Sequence, residues 1–359
     1  MHALVESVRE FAGRVLRPAA LHTDRSAVPA AFLEQLGSLG ALNHLAPVEY
    51  GGAGLSRGDD RELHEVLAGA CLNTWLVWAQ HASLVGRLVA AGKPASDLAE
   101  RVLRGEIVLG AGVSDVRRYP ERYIRADRTD GAWHFGGTVS WVSGWGLNQA
   151  LVVTAVEPPA TVVTALLPIG DGMHATPLEL AAVAGSRTER VVLDSVRVPD
   201  EHVLAIQTLA EWAHADHAAG SDARPHLFGF ASAVLDELAT SADPLAQAVA
   251  ATWTPSIARM RAEAYGLADE AVRAGGGPHR VAERLAVKIA VGDALTALTR
   301  ALLAARAGRG LSLGDTAQMY ARQALFLQVQ AQSPLTREAQ LTHLASLGEH
   351  AADLGRHGW

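Results

Sequence analysis

The chain opens on apolar residues spaced three and four apart. "ALVESVREFAGRVLRPAALH" carries such a stripe, and "PAAFLEQLGSLGAL" starts a second helix behind a proline. "PVEYGGAGLS" breaks the pattern with Pro and two adjacent glycines. Helical spacing then resumes through about Gly92 and again in "ASDLAERVLRG". From Ile107 the period shortens to two. "YIRADRTDGAWHFGGTVSWVSG" alternates about an Asp-Gly turn, "QALVVTAVEPPATVVTALLPIG" sets two β-branched runs about Pro-Pro, and "TERVVLDSVRVPDEHVL" adds a further pair. These predict a small antiparallel β domain ending near Leu204. Residues 206–223 read as a linker. Beyond them, helices are predicted over 224–240, 244–273, 279–307 and 314–331, with a last one to about 354. Their breaks at "SADP", "GGGP" and "GRGLS" are short, as in an antiparallel bundle. The expected class is α+β, mainly α: an N-terminal helical domain (1–106), a β domain (107–204) and a C-terminal four-helix bundle (205–359).

Composition narrows the function. With 359 residues, 49% of them apolar, the chain can build a large core. A net charge of −7 and the lack of a long Lys/Arg run exclude a nucleic-acid surface. Arg117, Arg118, Arg122 and Arg125 are interleaved with Asp, Pro and Tyr, which predicts a solvated turn rather than an anion site. The single cysteine, Cys71, fits a buried thiol in a reducing compartment. The N-terminus has charges every few residues and no signal-peptide core, so a cytoplasmic location is expected. The longest uncharged helical run, 70–86, falls short of the roughly 20 residues that span a membrane.

Single motifs name no chemistry. His214 and His217 lack the Cys or acidic partners of a metal set. "GAGVSD" has no βαβ unit behind it, "GGAG" lacks the lysine of a P-loop, and no G-x-S-x-G elbow is present. What stands out is "SWVSGWG" (140–146), two tryptophans among Ser and Gly in a chain with 5% aromatics. Such a planar apolar pair is expected to lie against something.

Order and spacing carry more. "APVEYGGAGLS" (46–56) resembles the P-E-x-Y-G-G-x-G-x-S turn of the acyl-CoA dehydrogenase flavoproteins, with Val48 ahead of Glu49. "FGGTVSWVSGWGLNQALVVTAV" (135–156) resembles their N-G-x-K-x-W-I-[ST]-N-G strand pair, and "VAGSRTERVVLDSVRVPDEHVL" (183–204) resembles the strand that closes their β domain. Residues 307–310 take the place of a Gly-Gly-x-Gly turn, Arg322-Gln323-Ala324 that of Arg-Asp-Ala, and "QVQAQS" (328–333) that of Gln-Ile-Tyr-Glu-Gly-Thr. The resemblance covers essentially the whole chain.

The resemblance implies FAD between the β domain and the bundle, or else FMN or a reduced flavin held weakly. Trp141 would pack by the isoalloxazine, with Val142 beside it, and the Ser143 hydroxyl would sit near N5 and O4, where charge builds on reduction. Ser114, Gln328, Gln332 and Ser333 are the other implied flavin contacts. Trp145, Phe228, the 70–90 helix and residues 224–232 are the implied substrate walls. The sequence also departs from the family. The position of its usual Glu base is Ala331, and the alternative position on an earlier helix is Ala223, next to Asp222. "AGVSDVRR" (111–118) replaces the T-E-P-x-x-G-S segment, "ATSADP" (239–244) replaces the R-x-x-F-G loop that reaches a neighbouring subunit's FAD, and Ala304 stands for a Gln. Each lost charge-assisted contact costs roughly 1.5–3 kcal/mol. Three readings stay open: a dehydrogenase acting on an acyl thioester, a monooxygenase fed with reduced flavin, and a non-redox scaffold. Implied partners are an acyl-thioester or other small substrate, a flavin reductase or electron-transfer flavoprotein, and a second or further copies in a homodimer or homotetramer.

Overall fold

Proline and polar caps start most of the helices in the computed structural model, which describes residues 2–92 and 96–356, with side chains to residue 348. The N-terminal helices are α1 (Ala3–Phe11), α2 (Arg17–Arg25), α3 (Ala30–Ser38), α4 (Arg57–Ala70), α5 (Leu72–Ala90) and α6 (Asp97–Leu103). Ser56 caps α4 by accepting from the Asp59 N–H, and Ser96 caps α6 in the same way from Ala99. Cys71 is buried in the break between α4 and α5 rather than within a helix. Among the described residues, no helix is long and apolar enough to cross a membrane.

The strands are β1 (Leu109–Gly112), β2 (Arg125–Thr129), β3 (Ala132–Val142), β4 (Ala150–Glu157), β5 (Thr161–Pro168), β6 (Met173–Pro177), β7 (Glu189–Val198) and β8 (Val203–Thr208). They form one sheet in the order β6-β7-β3-β2-β4-β5-β8, with β1 alongside β4. Most pairs are antiparallel, but β1 runs parallel to β4, and β2 meets β4 in parallel at Arg125 and Val156. The sheet is thus antiparallel-rich and mixed, not purely antiparallel.

The stretch read as a linker is structured. β8 adds to the sheet beside β5, and α7 (Leu209–Gly220) follows at once. Thr208 and Glu211 form a complete capping box that starts α7. The remaining helices are α8 (Pro225–Ala239), α9 (Pro244–Arg273), α10 (Val281–Arg306), α11 (Thr316–Val329) and α12 (Pro334–Arg356). One apolar core joins the N-terminal helices to this bundle, and the sheet has a core of its own.

α4 and α8 meet backbone to backbone, because a Cβ on Gly229 would lie 2.1 Å from the Glu65 carbonyl oxygen, and one on Gly69 would lie 2.7 Å from that of Gly229. This close crossing brings the start of α8 against α4 and α5. Gly229→Ala is expected to lower the unfolding free energy by about 1–3 kcal/mol through overpacking. A Cβ on Gly13 would meet nothing within 4 Å, so Gly13→Ala should be neutral or stabilising by up to about 1 kcal/mol. Urea titration of both variants checks the contrast, and equal effects would show that the helices can separate at no cost.

Candidate functional site

Two cavities lie where the sheet, the N-terminal helices and the bundle meet. The larger, about 860 Å³, is a cleft between the ends of β1 and β3 on one side and α11 and α12 on the other. It falls within the size range of cofactor sites. The smaller, about 320 Å³, is a half-open chamber lined by α4, α5, α9 and the start of α8. Leu76, Gln80 and Gln330 belong to the walls of both.

Trp141 stands at the end of β3 with 42% of its surface exposed, on the wall of the cleft. Its neighbours in the strand, Ser140 and Val142, are buried. Asp115 fixes the strand end, since its carboxylate accepts from the Ser140 N–H (2.9 Å) and hydroxyl (2.6 Å). Ser143, 1% exposed, also belongs to the cleft wall, and its hydroxyl shares a hydrogen bond with Thr188 (2.8 Å), which continues to Ser186 (2.7 Å). Ser114, Gln332 and Ser333 complete this group at the cleft. The Ser333 hydroxyl accepts from the Thr336 N–H (3.2 Å), at the start of α12. Ala331 adopts a left-handed backbone (φ 54°) and lies on the same wall.

Four other residues lie away from both cavity walls. Val142 points into the sheet core, and Trp145 packs at its margin. The Gln328 amide donates to the Gly292 carbonyl (2.9 Å), which ties α11 to α10. Phe228 sits in the helical core, edge-on to Tyr265. Arg117 differs from the solvated turn expected of it, because it is largely covered and lines the cleft, whereas Arg118 also borders the cleft but stays exposed in a short turn. Arg117 pairs with Asp216 through two bonds of 2.7 Å, and it donates to the Gln332 carbonyl (3.2 Å).

The chamber is more polar than the sequence indicated. Its walls hold Asp60 and His64 from α4, Trp75 from α5, and Ala223, Arg224 and His226 at the start of α8. Trp75 donates its indole N–H to His64 Nδ1 (3.0 Å), and its ring stacks on His226 at 4.1 Å. Burial lowers the His64 pKa to about 4 and holds that of His226 well below the usual range. Burial pushes the Asp60 carboxyl up, but the His44 hydrogen bond (2.9 Å) with His64, His44 and Arg57 outweighs it, and the net direction is down. Asp222 also lines the chamber and accepts from Arg284 (2.7 Å). No motif announced these residues, which come from three separate helices. The one local signal was Pro225, which starts a helix and so places His226 in its first turn. Among the described residues, no group of three or more His, Cys, Asp or Glu is placed to hold a metal ion.

Helices, a mixed sheet and a helical bundle in this order, with a cleft between sheet and bundle, make the acyl-CoA dehydrogenase fold. Residues 1–103 match the family model described as "Acyl-CoA dehydrogenase, N-terminal domain". Over 219 residues the chain is 25% identical to the mitochondrial isovaleryl-CoA dehydrogenase of Pongo abelii, a match that covers 56% of this chain and 52% of that relative. The match therefore spans about half the length of that protein. In structure the chain is similar to butyryl-CoA dehydrogenase of Megasphaera elsdenii, with a TM-score of 0.80, 16% identity, and 95% and 97% of the two chains covered. It is also similar to dibenzothiophene monooxygenase (TdsC) of Paenibacillus sp. A11-2, with a TM-score of 0.77, 18% identity, and 93% and 95% covered. The latter protein has also been solved with FMN bound.

Proposed function

We propose that this chain is a flavin-dependent oxidoreductase acting on an acyl thioester or another small organic substrate. The observation that carries this reading is Trp141, a large apolar ring left 42% exposed on the wall of an 860 Å³ cleft to which Ser143 also belongs. Leaving an indole half in water is costly, and a planar ligand offsets that cost by stacking. A flavin fits these residues. Trp141, Ser143, Ser114, Gln332 and Ser333 would hold FAD, FMN or a reduced flavin, and the bound flavin would supply two-electron chemistry. The chamber next door would take the substrate.

A second reading, a monooxygenase fed with reduced flavin, is favoured by the cavity walls. Ala331 and Ala223, the two positions where the family's base is expected, both line cavities and neither can accept a proton. Of the carboxylates on these walls, Asp222 is engaged with Arg284, Asp115 with Ser140 and Asp60 with His44, while Glu338 stands exposed on α12 at the cleft. Ordinary fatty-acid β-oxidation is therefore not the proposed activity. In the monooxygenase reading a flavin reductase would supply the electrons, in the dehydrogenase reading an electron-transfer flavoprotein would take them from the flavin, and the working form is proposed to be a homodimer or homotetramer.

The visible spectrum of the purified protein, with and without added FAD and FMN, tests the shared part. Flavin uptake supports both redox readings, and no uptake of oxidised or reduced flavin leaves only a scaffold role. Bleaching by butyryl-CoA without oxygen marks a dehydrogenase, whereas incorporation of label from ¹⁸O₂ marks a monooxygenase. Trp141→Ala is expected to weaken flavin binding about tenfold, or about 1.4 kcal/mol. Unchanged affinity would remove Trp141 from the site.

A further inference from the structure

The start of α8 gives the chamber a character that an acyl chain would not match. His226 is 3% exposed and lines the chamber, and among the described residues neither of its ring nitrogens has a hydrogen-bond partner. Among the described residues, the aromatic ring packed on it is that of Trp75. The imidazole therefore keeps its hydrogen-bonding capacity for whatever fills the chamber. A neutral ring offers one acceptor nitrogen there, which a ligand N–H or O–H would meet.

Charge around the same point is net positive, although Asp222 and Asp60 also line the chamber. Arg224, at the N-cap of α8, reaches the chamber and makes one bond, to the Ala219 carbonyl (2.9 Å). Among the described residues no carboxylate pairs with it. The nearby acids are already taken, Asp216 by Arg117 and Asp222 by Arg284. Arg87, Arg117 and Lys288 add positive charge close by. Arg61 and Arg57, on the opposite wall, share Asp269, and Asp60 on the same wall balances the second of the two charges. The dipole of α8, a helix of 15 residues, adds to the positive side, although Pro225 has no N–H and the Leu227 N–H is taken by the Arg224 carbonyl (3.1 Å).

We propose that the chamber takes a small carboxylic acid that also carries a hydroxyl or amine. The carboxylate would lie against Arg224 and the start of α8, and the N–H or O–H would be donated to His226. This assignment rests on reading the chamber as the substrate side of the flavin cleft. A neutral ligand leaves the Arg224 charge uncompensated. A simple fatty acid pairs with Arg224 but offers no N–H or O–H to the acceptor nitrogen of His226.

Calorimetric titration of the purified protein as isolated tests this with matched probes: 3-hydroxybutyrate and 3-aminobutyrate, the donor-free butyrate, the neutral 1,3-butanediol, and inorganic phosphate. One of the first two is expected to bind at least tenfold more tightly than butyrate, butanediol or phosphate. Arg224→Gln should abolish the preference for acid over diol. His226→Phe should abolish the preference for the hydroxy or amino acid over butyrate while leaving butyrate affinity within threefold. Arg224 reaches open space, so its variant reports even where the buried His226 variant does not fold. Phosphate binding as tightly as the acids would make this a general anion site and overturn the proposal. So would equal affinity for butanediol and the hydroxy acid, or no effect of Arg224→Gln. Flavin uptake is read separately by absorbance. Uptake without acid selectivity sinks the chamber assignment alone, whereas absence of uptake sinks the flavin reading on which it rests.

Discussion

Arg322→Met is expected to lower the unfolding free energy by about 3–5 kcal/mol, the usual cost of leaving a buried charge without its partner. Arg322, on α11, donates to the Asp24 carboxylate (2.7 Å), the Gln318 amide oxygen (2.9 Å) and the Ala181 carbonyl (2.7 Å). Asp24 is 2% exposed and also accepts from Asn73 (2.9 Å) and Gln323 (3.2 Å). Those two amides are neutral donors and cannot replace a cation. Methionine keeps the apolar stem, so the loss reports the charge rather than a cavity. Asp24→Asn in the same chain should restore a large part of the stability, because it removes the orphaned charge. Urea titration of the two single variants and the double variant measures this coupling. A loss under about 1 kcal/mol in Arg322→Met would mean that water reaches Asp24 and the pair is not held dry. The consequence extends to the cleft. This cluster joins α2, α5 and α11, and α11 runs directly into Gln330 and Ala331 on the cavity walls. Flavin affinity should fall in parallel with stability.

Much of the fold was legible because the bundle helices are long and clearly bounded. The helix expected over 244–273 is α9, Pro244–Arg273, with proline in its first turn and glycines just beyond its end. α7 was missed even though the Thr-x-x-Glu box at its start was in plain sight. Its Ala- and His-rich sequence has little amphipathic contrast, so spacing alone could not separate it from a linker. In the candidate site, neighbours in sequence part company in space. Trp141 faces the cleft while Val142, one residue on in the same strand, faces the core, as the two-residue period of a strand requires. Gln328 turns toward α10 while Ala331 and Gln332 reach the cleft, because the chain leaves the helix between them. The chamber was illegible for a different reason. Asp60, His64, Trp75 and His226 come together only when α4, α5 and α8 pack, and α4 and α8 can pack so closely only through Gly69 and Gly229.

Acidification from pH 6.5 to 4 is expected to remove a large share of the stability, because several histidines are buried in the neutral form. His81 donates from Nε2 to the Leu42 carbonyl (2.7 Å) and accepts the Leu109 N–H at Nδ1 (3.1 Å), so both nitrogens are satisfied only without a second proton. Burial lowers its pKa to about 4, as it does for His64. The unfolded chain protonates the same rings near pH 6.5. Between those values the unfolded state binds more protons than the folded one, so stability rises with pH across the window. Above about pH 6.5 neither state binds these protons and there is no penalty. Below about pH 4 both are protonated and the penalty is constant. Each ring contributes about 2–4 kcal/mol over the window, against a typical total of about 5–15 kcal/mol. His226 acts in the same direction, since burial depresses it as well. Asp60 does not blur the window. Its lowered pKa stabilises the folded chain above the unfolded carboxyl value of about 3.9, and that contribution is lost only at lower pH. Urea midpoints measured from pH 8 to 4 should fall steeply below 6.5. His81→Gln, which can supply one donor and one acceptor but cannot titrate, should flatten the slope at some cost near pH 8. A profile flat from pH 8 to 4.5 would mean that these rings open to water before they protonate. His81 ties α5 to the start of β1, so the same acid transition should release flavin before the bundle itself melts.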